Sequence, residues 1–557
     1  MFSNRDLKNL ILPLFFEQFL VMLVGIADTF IIAFAGEAAV SGVSLVNSFN
    51  TILIYLFTAL ASGGAVIISQ YIGRKEMDNA SETSSQLLTA SVLLSVVLTV
   101  LTLIFNEQLM RLLFGQVEPD VMEACVTYLR ISAYSYPAIA VYNAGASLYR
   151  SIGKTSTTMY ISLVSNVINV AGNCIGVFVL HAGVAGVAYP SLIARVFTAV
   201  IITALCYREK NVRYANKWVF AWDWELLRRI LGIAVPNGVE SGIFQLVKVA
   251  LSSVVALFGT YQIAANGIAQ SIWSMAALVG VTMGPVFITV IGQCMGAGNI
   301  PEAEHYFKKL TKITLVVSLA WNILVFAVTP LLMSFYSLAD ETKILVVWLV
   351  LIHNIANSFA YPLADPFGKG LRAAGDIKFT MFVSIGSTIA GRLVFSLLFG
   401  KVFGWGVIGI ALAMCLDWCI RAVFFWVRFK QGKWKNFQLI SGGFYGTAGT
   451  QLFSHCRQRG KYYQGGSAAP RDPAHSLPAA DAAGRGAGGQ AVPPEQPQHR
   501  AHRRWGLTQA PGRGTFKPCR QNKAGISPGK GTERCDRHRQ RRVSKCEHTV
   551  QDHCRIS

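Results

Sequence analysis

Residues 9–35 read NLILPLFFEQFLVMLVGIADTFIIAFA, a run whose only ionisable side chains are Glu17 and Asp28. A helix rising about 1.5 Å per residue needs roughly 20 apolar residues to cross a hydrocarbon core of about 30 Å. This run is long enough to span. Arg5 and Lys8 precede it as they would precede a secretory leader, but a leader's apolar region is shorter, so the segment is expected to remain as a first spanning helix. Eleven more stretches pass the same test, near residues 45–72, 85–106, 124–149, 155–180, 184–207, 226–258, 262–294, 310–335, 344–371, 378–400 and 405–430. The expected fold class is an all-α polytopic membrane protein of twelve transmembrane helices. Composition agrees, because 52% of the 557 residues are hydrophobic and only 14% charged, which is not the balance of a water-soluble enzyme.

Charge in the connections gives independent information, since Lys and Arg gather on the cytoplasmic side of a membrane. With the N-terminus inside, 22 Lys and Arg fall in inside segments and three, Arg111, Lys343 and Lys401, fall outside. Both termini are therefore expected in the cytoplasm, and the chain in the cell membrane. The opening segment also recurs. A shift of 223 residues superposes Pro13 on Pro236, Glu17 on Glu240, Gly36 on Gly259, Gln70 on Gln293 and Gly73 on Gly296; a shift of 222 superposes Arg150 on Arg372 and Gly153 on Gly375. Two pseudo-symmetric six-helix bundles follow, both entering the membrane in the same direction, with a substrate path between them. The boundaries read as an N-terminal bundle over 1–207, a polar linker with Trp218, Trp222 and Trp224 over 208–225, a C-terminal bundle over 226–438, and a tail over 439–557.

The formal net charge of +21 belongs mostly to that tail, where 20 Lys and Arg face 7 Asp and Glu from Ser441 onward. Its Gly, Pro, Ala, Arg and Gln cannot bury enough apolar surface to fold. It reads as a disordered appendage or a frame-shifted product, with a basic arm as the other reading; no nucleic-acid partner is expected. The eleven cysteines form no CxxC pair, and Cys535, His538, Cys546 and Cys554 lack zinc-site spacing.

Ionisable side chains are costly in mid-membrane, so each poses a functional question. Asp28 has no basic residue one turn away, and such a carboxylate either takes a cation or proton or is held by structural hydrogen bonds. Asn166, Asn169 and Asn173, at i, i+3 and i+7, put three amides on one helix face. That face meets either another polar surface or a neighbouring helix. Glu17 and Glu240 each follow a proline by four residues, and their duplication points to a shared structural role. Glu17 and Asp28 also lie on one helix face, some 16 Å apart. Asp365 sits in Pro362-Leu363-Ala364-Asp365-Pro366, where the prolines must interrupt backbone hydrogen bonding, as tolerated where backbone lines a cavity. Asp417 and Arg421 stand at i,i+4 and are expected to neutralise one another. Arg130, Arg195, Lys248 and Arg392 are left to snorkel or pair, with Lys248 placed to repel cations.

Several of these stretches resemble one family. Leu12-Pro13-Leu14-Phe15-Phe16-Glu17-Gln18, Ala27-Asp28-Thr29, Gly36 and Gln70-Tyr71-Ile72-Gly73 are similar to the multidrug and toxic compound extrusion (MATE) family, prokaryotic type. So are Leu371-Arg372-Ala373-Ala374-Gly375-Asp376 after the tenth span and Leu148-Tyr149-Arg150-Ser151-Ile152-Gly153 after the fourth. The resemblance runs from about residue 8 to 438. It implies a two-lobed exporter in which entry of Na+ or H+ drives drugs or metabolites outward, conferring antibiotic resistance where the cargo is an antibiotic. It also implies that Asp28 is the coupling acid, with Asn169 and Asn173 beside it and Ser191 on the sixth span. Asn173 stands where some members carry Asp, which removes one proton site. On the seventh span the family's cation-site acid falls nearer Gln245 than Glu240, and on the tenth about a turn before Asp365.

Two rival readings compete with this one. A lipid-linked sugar flippase of the same superfamily would want a strongly basic cavity, and the few intramembrane basic residues count against it. A membrane-embedded transferase would cluster His, Asp or Glu at one face, whereas His181, His305 and His353 are isolated in sequence. No Gly-rich phosphate loop is present to support ATP-driven pumping. The expectation is thus a non-enzymatic, monomeric secondary antiporter working by alternating access. It would have no cofactor and no metal beyond Na+ at Asp28, and its partners would be a small-molecule substrate and the bilayer.

Overall fold

The computed structural model describes residues 1–334 and 338–440. The first half contains α1 (Asn4–Ala33), α2 (Glu37–Gly73), α3 (Met77–Ile104), α4 (Asn106–Phe114), α5 (Pro119–Ala133), α6 (Tyr136–Ser151), α7 (Thr155–Cys174) and α8 (Ala185–Arg208). A short α9 (Asn216–Val219) lies in the connection. The second half contains α10 (Trp224–Val255), α11 (Thr260–Ala276), α12 (Leu278–Gly296), α13 (Ile300–Met333), α14 (Asp340–Phe359), α15 (Tyr361–Ala364), α16 (Pro366–Ala373), α17 (Ile377–Gly386), α18 (Phe395–Leu397) and α19 (Gly406–Lys430). There is no strand among the described residues, as expected where each backbone N–H and C=O must be satisfied within its own segment.

Local chemistry sets the helix starts. Ser3 and Asp6 form a capping box on α1, Asp223 accepts from the Leu226 N–H at 3.0 Å on α10, and Asn299 accepts from the Glu302 N–H at 3.1 Å on α13. The repeat-equivalent Gly36 and Gly259 begin α2 and α11 with φ of +106° and +92°, a conformation that favours glycine.

Among the described residues, eleven helices are long and apolar enough to cross a membrane. The stretch read as a span at 124–149 is instead two helices of 15 and 16 residues, α5 and α6. The break falls at Tyr134 and Ser135, where Pro137 in the first turn of α6 cannot donate to the preceding turn and Ser135 Oγ turns back to the Ser132 carbonyl at 2.6 Å. Near Asp365 the backbone is interrupted as the flanking prolines require, with Asp365 itself (φ −107°, ψ −70°) separating α15 from α16.

Packing divides along the bundle axis. At the end holding Met1 and Ile440, one continuous apolar core joins both halves, from Leu7, Leu10 and Leu14 through Ile68 and Ile230 to Ile291 and Leu371. At the far end each half has its own core, Ile31, Val46 and Leu129 in the first and Val255, Ala269 and Val407 in the second. The halves are therefore fused at one end and separately packed at the other. Large apolar side chains such as Phe30, Val167, Leu246 and Ile323 stay more than half exposed, as suits a surface facing hydrocarbon.

The connection over 208–225 is not a free loop. Val212 and Tyr214 are buried, Ser81 and Ser85 on α3 accept from the Arg213 and Ala215 N–H groups at 3.1 and 3.2 Å, and Gln86 and Thr89 donate to the Trp218 and Val219 carbonyls at 2.8 and 2.7 Å. Of the tail expected over 439–557, Leu439 and Ile440 belong to the body: Ile440 is buried and its carbonyl accepts from Arg74 Nη2 at 2.7 Å. Residues 441–557, with the disorder and the absence of zinc expected there, lie outside the described residues.

Candidate functional site

Helix α1 carries Asp28 half-buried toward α7, and Asn173 on α7 donates to its Oδ1 at 2.7 Å. One turn back on α7, Asn169 Oδ1 accepts from the same Asn173 amide at 3.4 Å, while its own amide donates to Ser191 Oγ on α8 at 2.9 Å. Three helices thus bring Asp28, Asn173, Asn169 and Ser191 into one chain of contacts. Asn173 is fully buried, and its Oδ1 has no hydrogen-bond partner. A carboxylate beside amide and hydroxyl oxygens, one of them unused, is a donor set suited to a hard monovalent cation or to a proton held on the carboxylate. Thr29 is exposed and bonds back to its own helix, Oγ1 to the Gly25 carbonyl at 2.9 Å. Asn166 stands apart from these contacts, its Nδ2 buried without a partner.

Around this cluster, sequence reading named Arg195 only as a residue left to snorkel or pair and missed Tyr128. Arg195 on α8 lies near enough to Asp28 to act on its charge and donates to Ser135 Oγ at 2.7 Å; Tyr128 on α5 donates to Asn47 Oδ1 at 3.4 Å and also feels Asp28. Arg195 is about a turn beyond Ser191 on the same helix. That spacing was the available signal.

The duplicated glutamates are held by the duplicated arginines. Glu17 accepts from Arg150 Nη2 at 2.6 Å and from Thr158 Oγ1 at 2.8 Å. Glu240 accepts from Arg372 Nη2 at 2.5 Å, and that arginine also reaches Thr380 Oγ1 at 3.2 Å. Glu17 is therefore placed in an ion pair with Arg150, away from the contacts of Asp28.

Lined mostly by the second half, a cavity of about 410 Å³ opens between α10, α11, α16 and α19 and faces α2 of the first half, and Glu240, Gln245 and Asp365 all line it. Asp365 accepts from Lys369 Nζ at 2.7 Å, and Gln245 and Tyr55 line the same space. Trp273, Tyr361 and Trp418 form an aromatic wall, the two indoles stacked with centroids 5.8 Å apart. The basic residues judged sparse in the sequence converge here: Lys369, Arg372, Arg392 and Arg421 line this one space. Basic residues are therefore not sparse around this cavity, because these four come from three helical segments and meet only in the fold. Asp417 pairs with Arg421 at 2.9 Å, as its i,i+4 spacing predicts.

The sequence profile of the MatE family matches twice, over residues 13–175 and 236–398, two stretches related by the 223-residue shift read from the sequence. The chain is 25% identical to the uncharacterized transporter YisQ of Bacillus subtilis over 77% of its own length and 94% of the relative's. It is 22% identical to the probable multidrug resistance protein NorM of Thermotoga maritima, over 78% of this chain and 93% of that one. A crystal structure of MATE in the straight conformation superposes with a TM-score of 0.72 at 20% identity, covering 78% of this chain and 97% of that chain. With the profile spanning most of both halves, these likenesses disfavour the flippase reading, and the chain belongs to the MatE family of multidrug efflux transporters, multi-pass proteins of the cell membrane.

Proposed function

We propose that this chain is a monomeric secondary antiporter that exports small organic molecules in exchange for Na+ or H+, with Asp28 as the coupling residue. The observation that carries the reading is the 2.7 Å contact between Asp28 and a fully buried Asn173 whose own Oδ1 is unused. An ion entering there would gain oxygen ligands already fixed by helix packing. Asn169 and Ser191 would hold the geometry, and no cofactor takes part. In this reading α5 and α6 together form the fourth span and bring the total to twelve, both termini face the cytoplasm, and the fused end is the cytoplasmic one. Cargo then leaves through the separately packed end, and the halves rock about their shared core.

The test is transport of a fluorescent organic substrate in proteoliposomes under an imposed Na+ or pH gradient. Asp28→Asn should insert normally and lose gradient-driven movement, and the gradient that drives the wild-type chain identifies the ion. Undiminished transport by Asp28→Asn would remove the assignment.

A further inference from the structure

We infer that the second-half cavity is a binding site for a small aromatic organic anion, recognised by Arg392 and the Trp273 indole. This rests on the export reading above and names a cargo class for it. The starting observation is a mismatch in hydrogen bonding. Arg392 is 4% exposed, lines the cavity, and among the described residues has a hydrogen-bond partner for neither Nε nor Nη2; Trp273 Nε1, in the same wall, is also buried and unpartnered among them. All three unused groups are donors. Buried donors without acceptors are uncommon in folded proteins, and a guanidinium fork matches a carboxylate in two places at once.

The charges lead to the same ligand. Each carboxylate near the cavity already has a basic partner: Glu240 holds Arg372 at 2.5 Å, Asp365 holds Lys369 at 2.7 Å, and Asp417 holds Arg421 at 2.9 Å. Arg392 comes no nearer than 3.6 Å to Asp417, and its guanidinium lies over the Phe244 ring at 4.7 Å. Among the described residues four cations therefore face three acids, and Arg392 shares Asp417 with Arg421, so one positive charge is left over. Lys248, on α10 with Phe244, is close enough to Arg392 to add repulsion rather than relief. A cationic ligand would meet three neutralised acids and one net positive charge, whereas an anion would complete the balance.

The wall supplies the rest of the recognition. Trp273, Tyr361 and Trp418 lie within 5.2 to 6.4 Å of one another by ring centroids, and they offer flat apolar surface to an aromatic body whose carboxylate reaches Arg392. The volume of about 410 Å³ lies within the range of small-molecule sites, roughly 300–1,000 Å³. A free small carboxylate fits these features better than a bulky lipid headgroup.

The experiment is equilibrium titration of the full-length, detergent-solubilised chain, followed by tryptophan fluorescence, with 2-naphthoate, with a naphthyl trimethylammonium of matched size, and with phosphatidylglycerol. Naphthoate should bind, with the ammonium and the lipid at least about tenfold weaker. Arg392→Gln should weaken naphthoate by a similar factor, and Arg392→Lys by less. Since an arginine variant can misfold, Trp273→Phe, which keeps a ring and removes the N–H, should weaken naphthoate while leaving the melting temperature near wild type. Equal naphthoate binding by Arg392→Gln and Trp273→Phe, or stronger binding of the ammonium or the lipid, overturns the inference. Binding needs no ion gradient. Naphthoate binding without ion-driven transport would sink the antiport reading alone, and ion-driven transport without naphthoate binding would sink this one alone.

Discussion

Gly73 and Gly296 are equivalent residues of the two halves, and each packs against the other half at the backbone of a glutamine: Gly73 on Gln293, Gly296 on Gln70. A Cβ on either would overlap that glutamine's carbonyl. The glutamines then cross over as well. Gln70 Nε2 donates to the Ala373 carbonyl at 2.8 Å, and Gln293 Nε2 donates to the Ser151 carbonyl at 2.7 Å. Each half thus grips the loop after the other half's fourth span through the same two motif residues. Gly73→Ala or Gly296→Ala should each cost about 1–3 kcal/mol by forcing α2 and α12 apart. A lowered melting temperature in detergent is the readout. The double variant should fall short of the sum, since one contact is being opened twice.

The Glu17–Arg150 pair is an ion pair with its acid 4% exposed. Glu17→Gln strands the arginine charge, and a loss of about 3 kcal/mol is expected. Adding Arg150→Met to the same chain should recover much of it, which a double-mutant cycle on thermal unfolding would measure.

Asn173 gives Asp28 its hydrogen bond and holds an unused oxygen beside it. Asn173→Ala should raise the ion concentration for half-maximal transport roughly tenfold or more. Asn173→Asp, which keeps an oxygen in place, should raise it less. The measurement is initial transport rate against Na+ concentration or pH in proteoliposomes.

Glu209, at the C-terminal end of α8, lies beyond the spans. Burial works against its charge but is outweighed by Lys154 Nζ at 2.6 Å, the Lys210 N–H at 3.1 Å and the Tyr149 hydroxyl, so its carboxyl titrates below the ordinary glutamate range. A depressed carboxyl contributes stability above its unfolded value, and that contribution is lost as pH falls through the folded one. Lys154 is half exposed, which limits the gain to about 1 kcal/mol or less. Glu209→Gln should therefore melt slightly below wild type at neutral pH, and the gap should close on acidification.

The scaffold was legible because its signals are local or strictly periodic. Pro13, Glu17, Gly36, Gln70 and Gly73 recur at one offset, and apolar length marks the spans. The break in the fourth span was not, since the bend at Ser135 is invisible to a count of apolar residues. Asp28 and the asparagines of α7 stood out as polar groups in apolar runs, and their meeting followed from helices that pack together. The second-half cavity was unreadable for the opposite reason. Arg372, Arg392 and Arg421 lie on segments separated by tens of residues, each looks like a solitary basic residue, and only folding reveals that two of them share one acid, Asp417.

The linker has a mechanical consequence. From Arg213 to Val219 it is fastened to α3, and the Asp223 N–H still reaches Gln86 at 3.4 Å while the Asp223 side chain caps α10. The covalent link between the halves is a strap riveted to one of them. Whatever tilt the second half undergoes is concentrated at a pivot around Asp223, and a label or fusion inserted near residue 216 would travel with the first half.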